Sequence, residues 1–72
     1  MNATLNTPEG RVRTRTQRRF VLLLSVRGNT PVVTKRSDNV ETLRAHARRL
    51  YVGMHDRRTR IFDTVTGEEV VR

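Results

Sequence analysis

The chain has no cysteine, no tryptophan, a single lysine and only three aromatic residues in 72. Without cysteine there is no disulfide and no thiolate metal site, which suits a cytoplasmic setting. Two histidines are too few for an all-histidine metal centre. Long apolar runs are missing as well. The longest, FVLLLSV at Phe20–Val26, has seven residues, against the ~20 a bilayer-spanning helix needs. No small-residue cleavage site stands where a signal peptide would have one, so no membrane partner is expected. Asn2-Ala3-Thr4 matches a glycosylation acceptor pattern, but no secretory signal accompanies it.

The shortage of aromatics also excludes something. Readers of single-stranded nucleic acid stack bases on exposed rings. Phe20 and Phe62 are expected in a core, and Tyr51 flanks a helix stripe. Any contact with DNA or RNA is therefore expected to be backbone-dominated and weakly sequence-specific. Nor is there a phosphate-cradling glycine loop or a nucleophile–base–orienter set. His46, His55 and Asp56 are the only group suggestive of acid–base or metal chemistry. Their spacing matches no ligand pattern and no further donor joins them. A non-enzymatic protein without cofactor or metal is expected.

Positive charge is what the chain has in excess: fifteen basic against seven acidic residues, net +8. That field favours polyanions, nucleic acid first and acidic protein surfaces second. Fourteen of the fifteen cations are arginine, which offers bidentate contacts to phosphate. Codon drift in a GC-rich genome would explain arginine over lysine, but not the net charge. Residues 1–36 hold eight basic residues and one acid, and residues 37–72 hold seven and six. The field therefore belongs mainly to the N-terminal half.

The pattern divides the chain into a polar, disordered tail at 1–10, an arginine-rich arm at 11–19 and a small α+β domain at 20–72. Phe20–Val26 is apolar on both faces, as a central or doubly covered strand is. Gly28-Asn29 suggests a two-residue hairpin turn that would set Leu24 opposite Val33 and Leu23 opposite Thr34. Val40, Leu43, Ala47 and Leu50 form one helical stripe. Asp38, with Ser37 as its competitor, is the expected N-cap, Glu41 completes a capping box and Gly53 stops the helix. After a loop at MHDRR, TRIFD and EEVVR are expected to pair across a loop ending at Gly67. The expected fold is hairpin–helix–hairpin (ββαββ), one sheet with its helix on one face. Val21, Leu23 and Val32 would then lie on the open face, a surface for self-association. A homodimer is expected, because a chain this short buries only about 60% of its unfolded surface.

The candidate binding residues are Arg11, Arg13, Arg15, Arg18 and Arg19 of the arm, Arg27, Lys35 and Arg36 of the first hairpin, and Arg57, Arg58 and Arg60 of the later loop and strand. In an extended arm, Arg11, Arg13, Arg15 and Arg19 share one face and Arg18 falls on the other. The alternative is a solvated, charged lead-in that protects a strand edge. Arg44 and Arg48, one turn apart on the helix, read as a solvated face with Glu41 pairing Arg44.

LRAHARRLY, a basic loop and then RIFDTVTGEEV resemble small orphan proteins of actinobacteria and their phages. The likeness spans roughly residues 19–71. It implies a small accessory protein of a phage or mobile element and brings no activity with it. Two main expectations follow: an accessory or regulatory protein that contacts nucleic-acid backbone through arginine, or an interaction module (inhibitor or adaptor) that docks on an acidic host protein. A structural subunit of a larger assembly is a third.

Overall fold

The computed structural model describes residues 2–51 and 57–70, Tyr51 by its backbone alone. The chain runs β1 (Asn2–Thr7), β2 (Gly10–Arg15), β3 (Phe20–Val26), β4 (Val32–Ser37), α1 (Val40–Tyr51) and β5 (Arg57–Asp63). The α+β class is as the pattern implied. The order, however, is ββββαβ, and the strands form two antiparallel sheets, β1-β2 and β4-β3-β5, in place of one.

β3 is central and covered on both sides, as its two apolar faces require. Toward α1, Leu22 and Ile61 pack with Leu43 and Ala47, flanked by Phe20, Val40, Leu50 and Val70. The helical stripe is therefore the one the spacing predicted. Toward the other side, Val21, Leu23 and Phe62 pack with Leu5 and Val12, flanked by Ala3 and Val33. Leu5 and Val12 come from the N-terminal hairpin, so the molecule has three layers: ribbon, sheet and helix.

That third layer corrects two expectations. Residues 2–7 are a strand, where a disordered tail was expected, and most of the arm is its partner strand. Val21 and Leu23, assigned to a self-association face, are 0% and 1% exposed beneath the chain's own hairpin, and only Val32 of that set is open, at 61%. The physical reason lies in the pairing. Leu5 stands opposite Val12 across the ribbon, and β1 and β2 together present Ala3, Leu5, Val12 and Thr14 inward. One leucine buries too little to order a tail. Two paired apolar side chains, each contributing about 1.5–3 kcal/mol on burial, dock a ribbon that would be marginal alone. The turn Thr7-Pro8-Glu9-Gly10 closes with the Thr7 hydroxyl donating to the Gly10 carbonyl at 2.6 Å. Gly10, at φ 140°, sits so close to the β3–β4 loop that a Cβ there would lie 3.2 Å from Thr30 Oγ1.

The β3–β4 turn is shifted by one residue from expectation. Its centre is Arg27-Gly28, at φ 54° and 75°, with the Asn29 amide bonded to the Val26 carbonyl at 3.0 Å. Positive φ at both central residues gives the twist that antiparallel strands need, although it costs arginine about 1–2 kcal/mol. That turn alone would set Leu24 opposite Pro31, but the ladder pairs Leu24 with Val32 and Leu23 with Val33. An irregularity between Leu22 and Leu23 then restores the expected register from Leu22↔Lys35 onward.

The helix cap also moves. Asn39 accepts the Glu41 amide on its side chain at 3.0 Å, so Asn39 is the N-cap, and the Asp38 carboxylate is turned to Arg18 and Arg19. Glu41 and Arg44 form the expected ion pair. The Gly53 helix stop and the loop bearing His55 and Asp56 lie outside the described residues. After β5, residues 64–67 form the expected loop ending at Gly67. The chain then returns along β5 with the Asp63 amide bonded to the Glu68 carbonyl and the Val70 amide to the Ile61 carbonyl. Among the described residues this return makes one isolated bridge, Phe62↔Glu69, in place of a full closing strand.

Candidate functional site

Folding sorts the predicted binding residues into sets with different neighbours. The first is the outer face of the ribbon. Alternation along β2 buries Val12 and Thr14 and leaves Arg11, Arg13 and Arg15 exposed. Across the ribbon these face Asn6, Thr4 and Asn2 respectively, and those three are exposed too. Alternate strand residues lie about 6.8 Å apart, so the three guanidinium groups are carried along a line of about 14 Å. None of the three forms an ion pair with a described residue. A shallow concavity of about 450 Å³ opens at the free end of the ribbon, lined by Asn2, Ala3, Thr4, Arg13, Thr14 and Arg15.

The second set is engaged with carboxylates, with Arg60 half-buried and Arg18 and Arg19 still exposed. Arg18 bonds Asp38 at 2.9 Å, and the Arg19 amide bonds the same carboxylate at 2.9 Å. The Arg19 guanidinium reaches Asp63 with two nitrogens, at 3.2 and 3.0 Å, and lies 5.2 Å over the Phe20 ring. Thr64 completes the joint, its amide and hydroxyl both donating to the Arg19 carbonyl, at 2.8 and 2.7 Å. Arg60 is held between two carboxylates, Glu9 at 3.2 Å and Glu69 at 3.1 Å. Arg18, Arg19 and Arg60 thus fasten the β2–β3 connection, the ribbon turn and the C-terminal return to the sheet.

The charges in this seam tune one another. Hydrogen bonds from the Arg19 guanidinium hold the Asp63 carboxyl below the usual carboxylate range, overcoming a burial that pushes the other way, and the Val65 amide adds to the effect. Asp38 is likewise lowered, first by the Arg18 hydrogen bond and then by the Arg19 amide. Arg19 and Arg60 are raised, the one by its bond to Asp63 and the other by its bond to Glu9. All four shifts favour the charged forms, so the seam is ionised at neutral pH.

The remaining candidates are spread around the sheet. Arg36 is exposed on β4 and Lys35 half-buried beside it. Lys35 contributes to two shallow concavities, one of about 430 Å³ with Arg18, Arg36 and the start of α1, the other of about 300 Å³ with His46 and Arg49. Arg27 forms the β3–β4 turn, and Arg57, opposite Val26, opens β5 beside Arg58. Residue type alone therefore did not separate cations on an open face from cations used as fasteners. Asn2, Thr4 and Asn6 were not expected at the site at all. The signal that places them is TPEG, with proline at the second turn position, between two runs of alternating inward and outward residues. No protein-family model, curated protein or solved structure matches the chain.

Proposed function

We propose that this is a small non-enzymatic binding protein that contacts nucleic acid through the arginine row of its N-terminal ribbon. The observation that carries the reading is the position of Arg11, Arg13 and Arg15. They are exposed, evenly spaced on a rigid strand and without an acidic neighbour on the same face, while Glu9, Asp38, Asp63 and Glu69 are engaged with other arginines. The strand sets the backbone positions of the three cations along one line, so that on meeting a phosphate chain mainly their side chains remain to be ordered. Arg27, Arg36, Arg57 and Arg58 add to the field that draws a polyanion in.

The test is a mobility-shift titration of a random duplex against salt. Arg11→Gln/Arg13→Gln/Arg15→Gln should lower the magnitude of the slope of log K against log salt by about 2.7, or about 0.9 for each phosphate left without its arginine. An Arg18→Gln variant should leave the slope nearly unchanged. Absence of duplex binding at low salt would sink the reading. It would direct attention to an acidic protein partner, to be sought by pull-down after nuclease treatment.

A further inference from the structure

We infer that the ribbon enters the major groove of duplex DNA and reads base edges with the polar side chains of its outer face. This rests on the nucleic-acid reading above, narrows its partner to duplex DNA and turns ribbon arginines from the phosphates to the base edges. A two-stranded β-ribbon is one of the two elements that the roughly 12 Å wide major groove admits. β1 and β2 form such a ribbon and make up a whole outer layer of the molecule, attached to the rest by its inner face and its turn. The outer face carries Asn2, Thr4 and Asn6 on one strand and Arg15, Arg13 and Arg11 opposite them. These are the side chains that discriminate bases there: arginine bidentate to guanine O6 and N7, asparagine bidentate to adenine N6 and N7, threonine to a base edge or the thymine methyl. Phosphate neutralisation needs only the cations and is indifferent to the asparagines and the threonine between them.

Two further observations select duplex DNA over other nucleic acids. The A-form major groove of RNA is too deep and narrow for side chains to read, which leaves a ribbon nothing to enter. Single strands call for exposed rings, whereas of the two rings among the described side chains Phe62 is buried at 3% exposure and Phe20 is half-buried with Arg19 over its ring. The ribbon is also held in a fixed orientation. Leu5 and Val12 lock its inner face, Gly10 meets Thr30, and Glu9 is drawn back onto Arg60, which keeps the one acid of the turn away from the outer face. Weak specificity is what the shortage of aromatic residues implied. A ribbon differs, because it places asparagine beside arginine in a fixed register.

The experiment is selection of bound duplexes from a library with a randomised core, using the full chain, followed by binding of the selected duplex with 7-deazaguanine at its enriched guanines. A short guanine-containing preference should emerge, and removing N7 should weaken binding by roughly ten-fold or more. Arg13→Lys, which keeps charge but loses the fork, should flatten the preference at one position and weaken the selected duplex more than a random one. Asn6→Ser should relax another position with the salt slope and melting temperature unchanged. Equal binding of all duplexes with a steep salt slope overturns base reading and leaves the backbone reading standing. A preference without guanine, or one insensitive to N7 removal, overturns the major-groove placement. Failure to bind any duplex overturns both readings.

Discussion

The outer face of the ribbon and the seam around Asp38, Asp63 and Glu9 are built from the same residue, arginine, and use it in opposite ways. On the ribbon, Arg11, Arg13 and Arg15 point to solvent from a strand whose other face is locked into the core. In the seam, Arg18, Arg19 and Arg60 are each bonded to carboxylates from distant parts of the chain. The separation follows from where the acids fall. Five carboxylates, from Glu9, Asp38, Glu41, Asp63 and Glu69, each hold an arginine, so most of the negative charge is consumed in fastening the fold. The excess positive charge is carried by the cations outside these pairs, Arg11, Arg13 and Arg15 of the ribbon among them. Net charge measures the field, and topology decides which cations carry it.

That contrast can be broken at its foundation. Leu5→Ala should have the largest effect on stability, about 2–5 kcal/mol by denaturant unfolding, because it empties the contact that orients the ribbon. It should also weaken duplex binding, since the arginine row would no longer have a rigid support. Deleting residues 1–19 is for the same reason a poor test of binding, as it exposes Val21, Leu23 and Phe62. Arg60→Gln comes next. It leaves Glu9, whose side chain is 12% exposed, without its main partner, and should cost about 1–3 kcal/mol. Glu9→Gln in the same background should recover part of that loss in a double-mutant cycle.

Acid sensitivity should follow the seam and not the ribbon. Asp38 and Asp63 have folded-state pKa values below their unfolded ones. Their contribution is complete above the unfolded value of about 3.9 and is lost as pH falls through the lower folded values. Asp63→Asn should therefore flatten the fall of stability below about pH 4, whereas the ribbon variants should follow the parent chain. The smallest effect belongs to Arg11→Gln, Arg13→Gln and Arg15→Gln. Each should change unfolding free energy by no more than about 0.5 kcal/mol, as exposed side chains without partners do. A large loss from any of them would collapse the distinction between field and fastener.

Much of this was legible from local pattern. Two apolar faces on Phe20–Val26 mark a doubly covered central strand, and the Val40–Leu50 stripe marks the helix and its buried side. What covers the second face was not legible, because its donor is a segment with a single leucine whose partner, Val12, lies beyond a turn. Cap choice and turn centre shifted by one residue each for a similar reason. Asp38 is bonded to Arg18 and Arg19 in place of the helix, and the β3–β4 loop packs its Thr30 against Gly10 of the ribbon, a contact from far along the chain.

Alone, the sequence determined the α+β class, the central strand, the helix face, the absence of disulfides and the strongly positive, N-terminally weighted charge. These depend on composition and on periodicities of two and 3.6 residues, which are local properties. Only the tertiary structure decided that residues 2–15 form a docked ribbon, that Val21 and Leu23 are buried within one chain, and which arginines face solvent. Those outcomes rest on contacts between residues up to 51 positions apart, such as Arg60 with Glu9. Whether such a pair forms depends on where every intervening element packs, and no window along the chain contains that information.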